Sequence, residues 1–179
     1  MIHSTAILHH MPMRHPTFAR AAEAYGSETI LGIGVAIGPY AVIYAGAKIE
    51  GNTIIGDKVT VRENARIGRN CTIGQMVQIG HDCVIGDKVQ IMDAAHLSGG
   101  CTVGDGSFIA PHVCMANDDQ PLGYEYRGLA PVHVGKNCLI GSNATLRAGI
   151  TIGDGAVVAS GAIVIRDVLP EEIVKGLVK

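Results

Sequence analysis

From Leu31 onward an aliphatic residue returns every six positions, through Ile37, Ile43 and Ile49 to Ile109, and again from Val134 to Val164. All 20 of these positions are Ile, Leu or Val, so the beat is a rule of construction, not a bias of composition. A period of six matches neither the 3.6 of a helix nor the 2 of a long strand. It fits short strands joined by tight turns. Four residues after each aliphatic comes a residue that is mostly small, such as Ala41, Cys71, Ala95, Cys101, Ala144 or Ala162. Each unit thus points one branched and one small side chain inward. A single unit cannot bury that face, so the units must wind into a solenoid and stack. Glycine follows the aliphatic directly at 11 of the 20 positions, which reads as a sharp backbone bend at each corner.

Composition agrees with a thin aliphatic core. Aromatic residues make up 4% and tryptophan is absent, whereas ordinary cores lean on large rings. The 179 residues suit one domain. A formal net charge of −2 gives nucleic acid no clustered cation to bind. The run "GAVVASGAIVI" is too short and too glycine-rich to span a bilayer. No charged n-region precedes an apolar h-region, so the expectation is a cytoplasmic protein without a signal peptide. Cys71, Cys83, Cys101 and Cys138 all occupy the small inward position, which predicts core filling, not a disulfide framework or a zinc cluster. Cys114 is out of phase with them.

The stretches "IGRNCTIGQMVQIGHDCVIGDKV" and "VGKNCLIGSNATLRAGITIGDGAVVASGAIVIRDV" resemble the hexapeptide-repeat acyltransferases. The resemblance implies an all-β fold: a left-handed parallel β-helix of about seven coils, three hexads to an 18-residue coil. It also implies a homotrimer with acyl-CoA sites between neighbouring copies. Residues 31–168 are expected to form the β-helix, 1–30 an N-terminal cap or degenerate first coil, and 169–179 a short tail. The beat fails after Met115, and residues 117–133 carry Pro, Gly, two tyrosines and charges, which predicts a projecting loop. His3, His9, His10 and His15 crowd the N-terminus in no closed metal-site spacing and read as a solvated arm.

If 18 residues make a coil, His81, Gly99 and Asn117 form one column. Acyl transfer from a thioester needs a base for the attacking amine or hydroxyl and a donor for the oxyanion. A neutral imidazole suits the first role, and an unshielded glycine amide suits the second. The turn "GHDCVIGD" resembles that of the lipid A UDP-sugar acyltransferases and the bacillosamine-pathway acetyltransferases. That resemblance makes His81 the base, Asp82 its electrostatic partner and Gly99 the oxyanion donor. Asp93 and Gln75 stand at turns where acetyltransferases of 3-amino sugars carry Asn and Gln, and with His96 and Asn117 they are candidate substrate contacts. His96 is equally a packing or interface residue on sequence grounds. Small residues 18 apart, Gly141 with Ala159 and Ser142 with Ser160, are the candidate contacts for coenzyme A.

The expected function is transfer of an acetyl group from acetyl-CoA to the amino group of a nucleotide-linked amino sugar, with no metal required. An acetyl group is favoured over a longer chain because the sequence ends soon after the repeats, without the C-terminal helical domain of the lipid A enzymes. An O-acetyltransferase, a longer-chain acyltransferase on a UDP-sugar and a non-catalytic trimeric scaffold are the alternatives. A γ-type carbonic anhydrase needs a His pair spaced by five among its zinc ligands, and His81 and His96 are 15 apart.

Overall fold

A computed structural model describes residues 1–10, 28–119 and 128–179. Within them the chain forms 24 short strands in three parallel sheets of nine, seven and eight strands. Successive strands visit the eight-, nine- and seven-stranded faces in rotation, as in Thr72–Ile73, Gln78–Ile79 and Val84–Ile85. Three strands to a turn make about eight turns, one more than expected. Strand partners lie 18 residues apart: Gln78 pairs His96, which pairs Cys114. Across residues 117–133 Thr102 pairs His133, and the 18-residue step resumes with His133 opposite Thr151. The insertion therefore leaves the register intact.

Two residues of each hexad fill the interior. Ile79, Ile91 and Leu97 represent the aliphatic positions, and Val77, Ala95 and Cys101 the small ones; all are buried. The four in-phase cysteines are buried free thiols, and Cys114 is exposed. Burial pushes the Cys83 thiol up to about 12 and the Cys101 thiol up to about 11, so both stay protonated as core residues.

The glycines after the aliphatic residues have a different reason from the one expected. The left-handed conformation belongs to the third residue after the aliphatic: Asn64 at φ 56°, Asp82 at 56°, Ala94 at 57° and Gly100 at 81°. Asn, Asp and Gly suit that region, which explains their frequency there. Where the earlier residue is glycine, the next coil stacks tightly over it. A Cβ on Gly80 would lie 2.4 Å from the backbone nitrogen of Gly99.

Both ends extend the solenoid. Ile7–His10 pairs with Val42–Tyr44 on the nine-stranded face, inside the segment expected as a cap. Ile173–Val174 and Leu177–Val178 add strands beyond residue 168, where a short tail was expected. The inward aliphatic spacing there shortens from six to four, from Val164 to Val168 and from Val174 to Val178, all four buried. A strict six-residue search therefore stops too early. His15 lies outside the described residues. His3 Nδ1 is 2.9 Å from Thr5 Oγ1, and among the described residues no group of three His, Cys, Asp or Glu is placed to hold a metal ion.

Candidate functional site

The corner after the nine-stranded face carries the predicted column. Its members, one coil apart, are Glu63, His81, Gly99 and Asn117. The stacking is tight: a Cβ on Gly99 would sit 2.4 Å from His81 Nε2 and 2.5 Å from Cε1. Only glycine leaves room for that ring. The His81 Nδ1 is 2.9 Å from Asp82 Oδ2. An ionised carboxylate only accepts hydrogen bonds, so this contact places the imidazole proton on Nδ1 and makes Nε2 the acceptor nitrogen, with the face of the ring packed against Gly99. The left-handed backbone of Asp82 lets its carboxylate meet the preceding ring, and Asn64 Nδ2 donates to the other oxygen at 3.3 Å.

Gly99 differs from the corresponding residues of several other turns. There, an Asp one coil on accepts the amide hydrogen: Gln75 N–H donates to Asp93 at 2.9 Å, and Lys136 N–H donates to Asp154 at 2.7 Å. Asn117 stands where that Asp would be, and its Nδ2 donates to the Gly99 carbonyl at 2.9 Å instead. The Gly99 N–H is left without a partner among the described residues.

Asn117 is also the root of the predicted loop. The Ala130 N–H donates to the Asn117 carbonyl at 2.8 Å, and Arg147 Nε donates to Asp119 at 3.0 Å. Both loop ends are thus pinned at the top of the His81 column. The tyrosines of the loop lie outside the described residues.

Two members of this corner escaped the sequence reading. Glu63 is only 1% exposed, and Arg62 clasps it through Nε at 2.6 Å and Nη2 at 2.7 Å. Burial alone would raise the Glu63 carboxyl, but the Arg62 hydrogen bonds and charge, a backbone hydrogen bond and the charge of His81 leave it below its ordinary value. The Arg62 guanidinium also lies over the Tyr44 ring, 5.1 Å from its centroid. The signal was in reach: Glu63 is 18 residues before His81, so the same stacking rule extended one coil downward finds it.

A groove of about 450 Å³ opens over this corner, and Arg62, Gln78, His81, His96, Gly99 and Asn117 contribute to its lining. His96 is exposed on the adjoining face and shares the groove with His81. Gln75 and Asp93 do not join them. They occupy the corner at the opposite end of the nine-stranded face, where the Asp93 carboxylate caps the Gln75 amide. Gly141, Ser142, Ala159 and Ser160 do come together, in a groove of about 560 Å³ walled by apolar Phe108, Leu139 and Val157. That groove belongs to the same corner column as Gln75 and Asp93, several coils further on.

A parallel β-helix with one polar corner and one apolar groove is the architecture these residues build. A family model described as bacterial transferase hexapeptide (six repeats) matches residues 46–81 and 82–117, and one described as hexapeptide repeat of succinyl-transferase matches 131–166. The chain belongs to the hexapeptide-repeat transferase family. Among solved structures it is similar to UDP-N-acetylglucosamine acyltransferase from Campylobacter jejuni, with a TM-score of 0.64 and 18% identity, over 98% of this chain and 71% of that one. Perosamine N-acetyltransferase from Caulobacter crescentus, in complex with CoA and GDP-perosamine, matches with a TM-score of 0.51 and 20% identity, over 84% of this chain and 55% of that one. LpxA from Acinetobacter baumannii gives 0.52 and 19%, over 98% and 71%. A comparison with curated protein sequences finds no match. Among the described residues no helix is long and apolar enough to cross a membrane.

Proposed function

We propose that this protein transfers an acetyl group from acetyl-CoA to the amino group of a nucleotide-linked amino sugar. The observation that carries the reading is the pairing of His81 Nε2 with the open Gly99 amide at one corner. Nε2 takes the proton from the attacking amine as nitrogen bonds to the thioester carbon. The Gly99 N–H stabilises the oxyanion that forms there. Collapse of that adduct expels the coenzyme A thiolate, and the imidazolium supplies its proton. Asp82 holds the Nδ1–H tautomer and balances the imidazolium charge. The two solved relatives named for their sugar substrates support this acceptor class, and the CoA in one of them supports the donor.

The His81 corner and the apolar groove lie at opposite ends of the nine-stranded face. One reaction uses both when a second copy of the chain brings its groove against the His81 corner, as expected for a trimer of this family.

The test is release of free thiol from acetyl-CoA against a panel of UDP-, GDP- and dTDP-linked amino sugars, with their hydroxyl analogues alongside. Turnover with an amino sugar, reduced about 10²- to 10⁴-fold in His81→Ala, is the expected result. Full turnover in that variant removes His81 as base. Turnover with the hydroxyl analogues alone makes the enzyme an O-acetyltransferase.

A further inference from the structure

A second concavity, of about 470 Å³, lies on the seven-stranded side of the His81 corner. Gly46, Lys48, Asn64, Arg66, Asp82 and Val84 line it. Lys48 and Arg66 are directly paired residues of neighbouring strands, Lys48–Ile49 and Arg66–Ile67, and both side chains are exposed. Like charges placed opposite one another across a parallel ladder repel. Neither has an ion-pair partner among the described residues, although other surface cations do: Lys136 meets Asp105 at 3.0 Å, and Arg166 meets Glu172 at 2.8 Å. The one acid in the lining, Asp82, is engaged by His81 and Asn64. The concavity therefore keeps a net positive charge and wants an anion.

Its position gives the anion a role. Asp82 is a wall of this concavity and also the partner of the His81 ring. A molecule reacting at His81 needs only to turn the corner for its charged portion to meet Lys48 and Arg66. Two stacked cations on strands about 4.8 Å apart match the spacing of two linked phosphates better than that of one carboxylate. We propose that Lys48 and Arg66 form a diphosphate subsite serving the His81 corner. The inference rests on the function proposed above. Both substrates named there contain a diphosphate, one in the nucleotide sugar and one in coenzyme A.

Titration calorimetry of the full-length protein at low salt tests this without requiring turnover. The probes are inorganic pyrophosphate, UDP and coenzyme A, each against the wild type and a Lys48→Ala/Arg66→Ala double variant. Pyrophosphate is expected to bind the wild type, more weakly as salt rises, and to lose at least tenfold in affinity in the double variant. A matching loss for UDP assigns the subsite to the acceptor, and a matching loss for coenzyme A assigns it to the donor. Equal affinities in wild type and variant for all three probes overturn the proposal. Removing two like charges should leave the melting temperature unchanged or raised. If the double variant unfolds, Arg66→Gln alone decides, with loss of pyrophosphate affinity as support and unchanged affinity as refutation. Pyrophosphate binding lost on substitution, in a protein that never releases thiol, would retain the subsite while removing the transferase reading.

Discussion

At the scale of single residues, the His81 column separates what a side chain does from where it is held. Gly99 has two duties, an open amide and room for the His81 ring. In Gly99→Ala the new methyl meets ring atoms 2.4–2.8 Å away, and the ring is the part that can swing aside. Activity should fall about 10²-fold or more while thermal stability changes little, as paired kinetics and melting curves would show. Glu63 is the converse case. Its carboxylate is buried and clasped by Arg62, so Glu63→Gln should cost about 1–3 kcal/mol in urea unfolding. The folded-state value lies below the ordinary one near 4.5, so this contribution is complete above that pH and fades as pH falls through the lowered value. The stability gap between wild type and Glu63→Gln should therefore narrow on acidification below about pH 4.5. An unchanged gap would remove the charge from the explanation.

The element here is the hexad, and its two special positions obey different physics. The third residue after the aliphatic turns the chain through left-handed space, where Asn, Asp and Gly are at ease. At Gly80 the first residue after it is held small by the next coil, which passes close over its Cα, although Arg62, Met92 and Arg147 fill the same position at other corners. Gly80→Ala places a methyl 2.4 Å from the Gly99 nitrogen, against backbone that cannot step aside. A loss of about 1–3 kcal/mol is expected, and denaturant unfolding measures it directly. The same substitution on neighbouring coils, at adjacent hexad positions, thus predicts opposite outcomes, stability at Gly80 and activity at Gly99. Sequence alone showed that both positions hold glycine but not which atoms stand above each.

For the whole molecule, the question is how two grooves at opposite ends of one face serve one reaction. The function proposed above needs a second copy to bring them together, and mixing tests it. His81→Ala and Ser142→Trp each remove one half of the proposed site. Co-refolded together, they should recover part of the wild-type rate, since some interfaces pair an intact His81 corner with an intact groove. No recovery, with light scattering at the 18.7 kDa mass of one chain, would place the reaction within a single copy.

Much of the architecture was legible because a solenoid repeats its constraints. The six-residue beat gave the inward cysteines, and the family resemblance, through the 18-residue coil it implies, gave the three faces and the stacking of His81, Gly99 and Asn117. The beat failed at the C-terminus, where spacing of four keeps Val168 and Val178 inside. What the tertiary structure alone decided depends on contacts between coils. It turned the His81 ring toward Gly99, left that amide uncapped, buried Glu63 beneath the ring and kept Gln75 and Asp93 at another corner. A periodic sequence states which residues are stacked. The direction each side chain takes is set by the atoms one coil above and below, and only packing supplies those.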